Sequence, residues 1–398
     1  MRLPKKTTFM SPKSMLSPKF IWVAAVVFAI VMLSSCDTPE RVLKSNDLDY
    51  KIQTAKRWYE KKQYVKCIPV FEELMGLLKG TKSTEDIYYM YCWANYYQGD
   101  YLISSYHFNN FTKMHPNSPK AEECAFMAAM SHEKLSPRYS LDQTNTFKAI
   151  DMFQNFVNNF PESNRVDSAN IEFQKLKKKL EFKAVENAKL YYKTSYYRAA
   201  STAFKNLLTD YPDIDNPDNI YFMIVKSYDK YAENSIPGKQ AERYRDVAKS
   251  YNELKYRFPS SKYLPEAKEM AKASHLKSAQ GAYKFAQEQH LDIRPRELQN
   301  AIQEIMAQQA IITDEKEKVK AAKMLEKAHY NLFRSALLKA EESAPEQQVK
   351  LLEESIKNYY TFVDSYKSSK YIKSAEKMYF TASDKLNKLK KNGQEQKN

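Results

Sequence analysis

Glycine is scarce in this chain, which has only 6 glycines among 398 residues. Tight hairpin turns and phosphate-binding loops rely on glycine, because it adopts positive φ angles at no steric cost. Gly76 and Gly80 stand four residues apart, a spacing that fits neither a dinucleotide-binding fingerprint nor a P-loop. Tyrosine (30) and phenylalanine (20) are abundant instead, together with the helix formers Lys, Glu and Ala. This composition predicts an all-α protein.

The residues that usually carry catalysis or bind metals form no recognisable pattern. The 6 histidines are scattered without an HExxH pair, and the chain lacks a GxSxG nucleophile elbow. Cys67, Cys92 and Cys124 are 25 and 32 residues apart, which matches neither a CxxC metal site nor a disulfide framework. We therefore expect a protein that is not an enzyme and that uses no cofactor or metal. The three cysteines are predicted to be packing residues.

The N-terminus combines basic residues, a short apolar segment and a cysteine. Four lysines precede the uninterrupted apolar residues 20–33, which are 14 in number, whereas a membrane-spanning helix needs roughly 20. The sequence Leu-Ser-Ser-Cys that ends at Cys36 resembles a bacterial lipobox, the cleavage site of a lipoprotein signal peptide. That resemblance implies removal of residues 1–35 and attachment of acyl chains, palmitate among them, to Cys36. An uncleaved anchor helix is the alternative, and Met15 is an alternative start.

Positive charge predominates along the chain. The formal net charge is +15, and removal of the five basic residues of the predicted signal peptide lowers it to +10. A basic surface can meet anionic lipid head groups, acidic partners or nucleic acid. We expect no nucleic acid as a partner, because the signal peptide directs the chain out of the cytoplasm. The alternative is that lysine keeps an aromatic-rich helical array soluble.

A pattern of small and aromatic residues recurs with a period near 45 residues. A small residue is followed by large, mostly aromatic residues four, seven and eleven positions later, and then by proline. The four complete copies begin at Ser104, Ala149, Ala200 and Val247 and end at Pro116, Pro161, Pro212 and Pro259, so the prolines are 45, 51 and 47 residues apart. A partial copy begins at Cys67, and a later copy at Ser355 has Lys367 where proline is expected.

The spacing within each copy predicts one helix and its end. Positions i, i+4, i+7 and i+11 lie on one helical stripe, where a small residue lets a neighbouring helix approach and the aromatics bury apolar area. Proline ends the helix because it lacks the backbone N–H and restricts the residue before it. Three of the four prolines are followed two residues later by a serine suited to cap the next helix, namely Ser118, Ser163 and Ser261.

Each repeat is thus predicted to be a pair of antiparallel helices, and tandem pairs form an α-solenoid of the tetratricopeptide kind. The predicted pairs are 52–62 with 64–79, 85–98 with 101–115, 119–134 with 146–160, 163–193 with 196–211, and 217–232 with 240–258. Further helices are expected from Tyr263 and at 299–311, 315–340, 346–366 and 370–389. The predicted domains are a tether at 36–47, the repeats at 48–277, a helical C-terminal extension with degenerate repeats at 278–388, and a disordered tail at 389–398.

One stripe of the helix predicted at 85–98 suggests a binding surface. Tyr88, Tyr91 and Asn95 share this stripe, with Tyr96 beside it. Aromatic rings and an amide can bind a peptide by stacking and by hydrogen bonds to its backbone. The alternative is that these tyrosines pack against neighbouring helices.

The lipobox followed by these repeats resembles the BamD family, the lipoproteins of the bacterial outer-membrane β-barrel assembly machinery. The resemblance rests on segments such as Gly99-Asp100-Tyr101 and Phe160-Pro161-Glu162-Ser163, and it covers about 48–273. It implies a non-enzymatic protein anchored by lipid to the outer membrane and facing the periplasm. Its implied partners are the Omp85-type barrel subunit and unfolded outer-membrane proteins.

Two features depart from the family pattern. The chain continues beyond about residue 278, so this stretch is expected to serve an additional subunit or to cap the array. Asp37 follows the lipidated cysteine, and in some enteric bacteria this residue favours the inner membrane. Two other functions remain open: a general cell-envelope scaffold lipoprotein with tetratricopeptide repeats, and a surface nutrient-binding lipoprotein of the SusD kind. The chain has only 3 tryptophans and short connections, whereas carbohydrate sites favour tryptophan platforms and many loops.

Overall fold

The computed structural model describes residues 38–395, in which every regular element is an α-helix. Cys36, Asp37 and the predicted signal peptide lie outside the described residues. The chain divides into two compact units, Met1–Leu180 and Glu181–Asn398, and the division falls within the helix Val166–Lys193. Within each unit, helices that follow one another in the chain pack together in a solenoid-like arrangement. The prediction of an all-α solenoid is therefore confirmed.

The first unit contains seven helices and the start of an eighth in its described residues. These are α1 Pro39–Leu43, α2 Leu48–Glu60, α3 Tyr64–Leu77, α4 Lys82–Gln98, α5 Tyr101–Met114, α6 Ala121–Leu135, α7 Thr144–Asn159 and α8 Val166–Lys193. The second unit contains the end of α8 and eight further helices as far as Glu395. These are α9 Tyr197–Asp210, α10 Pro217–Glu233, α11 Pro237–Arg257, α12 Leu264–Glu288, α13 Arg294–Ile311, α14 Glu315–Glu342, α15 Pro345–Ser365 and α16 Ile372–Glu395.

The repeated small residues are buried between the helices, as their spacing predicts. The small residue that opens each copy has no exposed surface in any of the six copies, which begin at Cys67, Ser104, Ala149, Ala200, Val247 and Ser355. Most of the large residues that follow are also fully buried, among them Phe71, Phe108, Phe153 and Phe204. Close packing around a small residue gives these rings many dispersion contacts, and their burial drives the pairing of the helices.

The helix ends that carry the proline share one backbone conformation. His115, Phe160, Tyr211 and Phe258 have φ between −133° and −127° and ψ between 58° and 73°. Tyr366 has φ −135° and ψ 55°, although Lys367 replaces the proline after it. In all five corners the N–H of this residue donates to the carbonyl four residues earlier. The corner therefore forms without proline.

The predicted serine caps are present in the corners. The hydroxyl oxygens of Ser118, Ser163 and Ser261 accept hydrogen bonds from the backbone N–H two residues later, at 3.0 to 3.2 Å. Each hydroxyl also donates to a carboxylate in the first turn of the preceding repeat's first helix. These partners are Glu85 for Ser118, Glu122 for Ser163 and Asp218 for Ser261. These three corners thus tie one repeat to the next.

Three predicted domain limits differ from the observed helices. The tether predicted at 36–47 contains α1, whose Val42 is fully buried against the first core. The limit at 277/278 falls inside α12, because the buried positions of this helix continue on both sides of it, among them Ala271 and Ala279. The tail predicted to be disordered from 389 is helical as far as Glu395, where it forms the end of α16. This end extends beyond the buried residue Leu386.

Candidate functional site: a tyrosine groove

The residues predicted to bind a peptide are mostly inside the core, and this prediction is corrected. Tyr88, Tyr91 and Asn95 are only 6%, 5% and 2% exposed. The Tyr88 hydroxyl lies 3.2 Å from Nδ1 of His107, whose ring packs edge-on against Tyr91 with centroids 4.9 Å apart. The Asn95 amide donates to the Tyr91 carbonyl at 2.8 Å. These side chains hold α4 against α5, and burial raises the pKa of both tyrosines.

Tyr96 is the fourth residue of that prediction, and it is half-buried. Its ring contacts Trp93 and Tyr101 edge-on, with centroid distances of 5.6 and 5.4 Å. Edge-to-face contacts of this kind stabilise an aromatic cluster beyond the area that it buries. Tyr96 is therefore a packing residue at the end of α4.

The predicted packing role of the cysteines is confirmed. Cys67, Cys92 and Cys124 are unpaired and have no exposed surface. Burial raises the pKa of the Cys67 and Cys124 thiols to about 12, so both remain protonated at neutral pH. Within residues 38–395, no three His, Cys, Asp or Glu side chains come together as a metal-binding group would.

A groove in the second unit exposes aromatic and polar side chains, whereas those of the α4 stripe are mostly buried. We call it the tyrosine groove; it encloses about 740 Å³ and is lined by residues of the end of α8, the following turn, the start of α9 and the end of α10. Four tyrosines supply most of its aromatic surface: Tyr191, Tyr196, Tyr197 and Tyr231. Arg198, Thr202, Asn206 and Asn234 supply polar groups. Grooves that combine apolar faces with a few polar groups are typical of ligand sites.

The turn between α8 and α9 positions these tyrosines. Ser195 adopts a left-handed conformation with φ 66°, and the Tyr196 N–H donates to the Tyr191 carbonyl at 2.9 Å. This geometry is a helix C-cap that usually uses glycine. The same hydrogen bond recurs after Lys62 and Gly99, which also have positive φ. The turn brings the Tyr191 and Tyr196 side chains to one rim of the groove.

The four tyrosines of the groove differ in exposure and in how many contacts hold their rings. Tyr196 is 67% exposed and Tyr191 is 44% exposed. Tyr197 is held by an edge-on contact with Tyr192, with centroids 5.4 Å apart, and by its hydroxyl, 3.2 Å from the Ser195 hydroxyl. The Arg243 guanidinium lies 4.0 Å from the centre of the Tyr231 ring. Two fixed rings and two exposed rings form a surface that can stack on side chains of an extended peptide.

Two pairs of neighbouring tyrosines in the sequence indicate this groove, although they are not part of the repeat pattern. Tyr191-Tyr192 lies near the end of α8, and Tyr196-Tyr197 lies where α9 begins. Only one of Tyr191 and Tyr192 can face the core of the helix pair, because neighbouring residues of a helix point about 100° apart. Tyr196 precedes the first helical residue of α9, Tyr197, and so lies outside the helix. One tyrosine of each pair is therefore left for the surface.

A second exposed apolar surface lies on α5. Leu102, Ile103 and Tyr106 are 60%, 45% and 61% exposed and fall within one turn and a half of that helix. We call these three side chains the α5 patch. Exposed apolar side chains that cluster in this way mark contact sites for other proteins.

The similarity of this chain to known protein families lies in the repeat region. Residues 48–240 match the family model described as "YfiO: Outer membrane lipoprotein". The chain is 21% identical over 213 residues to the outer membrane protein assembly factor BamD of Rickettsia prowazekii (strain Madrid E), covering 54% of this chain and 81% of that protein. It is 24% identical over 233 residues to the factor of the same name from Pasteurella multocida (strain Pm70), covering 56% of this chain and 88% of that protein.

Among solved structures, the chain matches the "TPR2AB-domain:pHSP90-complex of yeast Sti1". It has 12% identity and a TM-score of 0.28, over 71% of this chain and 98% of that one. A circular tandem repeat protein has 9% identity and a TM-score of 0.23, over 95% and 90% of the two chains. Within residues 38–395, no helix is both long and apolar enough to span a membrane. The family and sequence matches confirm the resemblance to the BamD family of outer-membrane lipoproteins in residues 48–240 of this chain.

Proposed function

We propose that this protein is a lipid-anchored scaffold of the machinery that folds and inserts outer-membrane β-barrel proteins. The observation that carries this proposal is the match of residues 48–240 to the outer-membrane lipoprotein family. Two assembly factors named BamD support it, since the matched residues span 81% and 88% of their lengths. The scaffold performs no covalent step; it binds its partners and positions them.

The proposed anchor is the acylated Cys36, which holds the helical repeats at the inner leaflet of the outer membrane, facing the periplasm. The lipobox that ends at Cys36 supports this location. One acyl chain binds a membrane only marginally, whereas several hold a protein stably. Asp37 makes the inner membrane the alternative location.

In this function the tyrosine groove receives unfolded outer-membrane proteins. A strand of a transmembrane barrel alternates apolar and polar residues, so that an extended segment presents two different faces. The exposed rings of Tyr191 and Tyr196 suit the apolar face. Arg198, Asn206 and Asn234 can form hydrogen bonds with the backbone and the polar face. The groove then holds a substrate strand before it is inserted.

In the same proposal the α5 patch contacts the Omp85-type barrel subunit. Leu102, Ile103 and Tyr106 remain exposed, whereas Phe108 and Phe111 of the same helix pack into the core of the first unit. Covering such side chains with a partner removes apolar area from water and favours association.

The test is an affinity purification from detergent-solubilised cell envelope, using a tag placed after Asn398, followed by mass spectrometry. We expect recovery of an Omp85-type barrel in near-equal amount. A variant with Leu102→Asp and Tyr106→Asp should lose the barrel, because a charge in the contact must be desolvated. The matched control is Phe380→Asp, which changes an equally exposed side chain (69%) on α16.

Other outcomes would overturn the proposal. Recovery of division or other envelope proteins without the barrel would indicate a general envelope scaffold. Recovery of a TonB-dependent transporter would indicate a surface nutrient-binding lipoprotein. Retention of the barrel by the Leu102→Asp, Tyr106→Asp variant would reject the α5 patch as its contact and leave the assembly function in place.

A further inference from the structure

A small pocket in the second unit lies outside residues 48–240, which match the outer-membrane lipoprotein family. It encloses about 200 Å³ between the end of α12, the start of α13 and the second half of α14. We call it the arginine pocket, because Arg294 of α13 and Arg334 of α14 both line it. Pockets for drug-sized ligands enclose roughly 300 Å³ or more, so this pocket suits a small chemical group. Nothing in the proposed assembly function uses it.

Both guanidinium groups of the pocket are available to a ligand. Within residues 38–395, neither Arg294 nor Arg334 forms an ion pair. The Arg294 Nε donates to the Gln289 carbonyl at 2.9 Å, which holds the side chain and leaves its two terminal nitrogens. Arg334 is exposed and forms no hydrogen bond with another described residue. The planar fork of an arginine side chain can donate two parallel hydrogen bonds to the oxygens of an anion.

No carboxylate is found among the described residues that line the pocket, so nothing there offsets the two charges. Three carboxylates lie close to the lining residues in sequence, and each has another partner. These pairs are Glu288 with Lys284 at 3.9 Å, Asp292 with His290 at 3.0 Å, and Glu297 with Asn300 at 3.1 Å. The pocket therefore keeps two uncompensated positive charges, which attract an anion.

A buried hydroxyl without a partner also lines the pocket. Ser335 is only 5% exposed, and its hydroxyl forms no hydrogen bond within residues 38–395. A buried polar group without a partner costs free energy, because it has lost its hydrogen bonds to water. An oxygen of a ligand in the pocket would supply the acceptor that the Ser335 hydroxyl lacks.

Two side-chain amides complete the polar wall of the pocket. The amide nitrogens of Gln287 and Asn331 donate to the Tyr283 hydroxyl at 2.8 and 2.7 Å. Each amide nitrogen carries two N–H groups, so that one N–H of each remains for a ligand. The shared tyrosine holds both amides in place before a ligand binds, which lowers the cost of binding.

We propose that the arginine pocket binds a phosphate group, carried either by a small phosphate monoester or by a phospholipid head group. A phosphate monoester has a charge of about −1.5 to −2 at pH 7 and three acceptor oxygens. These match two guanidinium groups, the Ser335 hydroxyl and the two amides. A carboxylate has a single charge and two oxygens, so it would leave one positive charge uncompensated. The inference does not depend on the assembly function.

The test is isothermal titration calorimetry of glycerol 3-phosphate with the purified full chain. Arg334→Gln should weaken binding by about tenfold, because it removes charge-assisted hydrogen bonds to the phosphate. The matched control is Arg296→Gln, which makes the same change at an exposed arginine of α13 outside the pocket and should leave the affinity unchanged. Both arginines are exposed, so thermal unfolding of both variants should match that of the unmodified chain.

A second variant, Ser335→Ala, tests the buried hydroxyl. It should weaken binding of glycerol 3-phosphate by about fivefold, because one hydrogen bond to the phosphate is lost. Its melting temperature should not fall, since the Ser335 hydroxyl has no partner to lose in the free chain. A loss of affinity without a loss of stability distinguishes a ligand contact from a packing role.

Two further titrations distinguish the possible ligands. Glycerophosphoglycerol is the head group of phosphatidylglycerol without its acyl chains, and its phosphate diester carries a single negative charge. Tighter binding of glycerol 3-phosphate would identify a phosphate monoester as the ligand, whereas tighter binding of glycerophosphoglycerol would identify a phospholipid head group. Acetate is the control for a carboxylate.

The following results would overturn the inference. Absence of binding by either phosphate compound would exclude a phosphate site. Acetate that binds as tightly as glycerol 3-phosphate would indicate a carboxylate ligand instead. Equal weakening by Arg334→Gln and Arg296→Gln would show that net charge alone attracts the anion. Arg334→Gln should still recover the Omp85-type barrel, so that failure here is separate from failure of the assembly function.

Discussion

Tyr196 is the most exposed of the four tyrosines that line the tyrosine groove, and in the proposed function its ring is the main anchor for an extended strand. Its ring is 67% exposed while its backbone is fixed by the hydrogen bond to Tyr191. An aromatic side chain on a fixed backbone has only two χ angles to order on binding, so it loses little conformational entropy and makes a strong anchor. Tyr88 and Tyr91 have the same side chain, but both are buried and pack between helices. At the scale of single residues, exposure separates a binding tyrosine from a packing one.

Tyr196→Ala should weaken binding of a peptide that copies the last strand of an outer-membrane barrel protein by about tenfold, because it removes an aromatic anchor. Thermal unfolding should be unchanged, since the side chain contributes little to the core. The measurement is fluorescence anisotropy of the labelled peptide with the purified chain. Tyr256→Ala is the control, because Tyr256 is 88% exposed and lies outside the groove. Equal affinity of the two variants would exclude the groove as the peptide site.

Gly99 and Gly76 test the role of backbone conformation at single positions. Gly99 has φ 93° after α4, whereas Gly76 lies within α3, and a Cβ at either position meets no atom within 4 Å. Gly99→Ala should lower the free energy of unfolding by about 1 kcal/mol, because alanine is strained at positive φ. Gly76→Ala should raise it by about 0.5 to 1 kcal/mol, because alanine favours the helix. Urea unfolding measures the free energy of unfolding of both variants. Changes of the same sign in the two variants would contradict a role for backbone conformation at these positions.

At the scale of helices and turns, the fold was largely predictable and the binding surface was not. The helices ending at His115, Phe160, Tyr211 and Phe258 could be predicted because helical spacing and proline both mark them. The carboxylate partners of the corner serines could not, because they lie 33 to 43 residues away. The tyrosine groove depends on three segments that meet only in the folded chain. The spacing of apolar residues predicts which side chains are buried within a helix pair. It does not predict which side chains remain exposed where separate segments meet.

The corner at Lys367 gives a test of what proline contributes to these turns. Tyr366 already has the backbone conformation of the residues that precede proline elsewhere, and the Lys367 N–H makes no backbone hydrogen bond. Lys367→Pro should therefore raise the free energy of unfolding by about 0.4 to 1 kcal/mol, by restricting the unfolded chain. Thermal unfolding measures the change. The control is Lys370→Pro in the same corner, and a loss of stability for Lys367→Pro would show that the corners are not equivalent.

At the scale of the whole molecule, the predicted lipid anchor and the net charge bear on where the protein works and which partners it attracts. The predicted acylation of Cys36 would keep the helical repeats on a membrane. The formal net charge of +15, lowered to +10 by removal of the five basic residues of the predicted signal peptide, favours acidic partners. In the proposed function, the aromatic rings of the tyrosine groove hold the substrate strand.

In the proposed function, the location of the protein depends on acylation of Cys36. Cys36→Ala should abolish incorporation of labelled palmitate and move the protein from the membrane fraction to the soluble fraction or leave it uncleaved, because acyl chains provide the anchoring energy. Cys67→Ala is the matched control: Cys67 is fully buried and its pKa is raised to about 12, so it should remain unacylated and its loss should not change labelling. Labelling that persists in Cys36→Ala would show that another residue is acylated, and a membrane-bound, unlabelled protein would show that the N-terminal apolar segment is the anchor. Loss of labelling together with loss of the Omp85-type barrel would connect the anchor directly to the assembly function, because a scaffold released from the membrane meets its membrane-embedded partner only at its dilute bulk concentration.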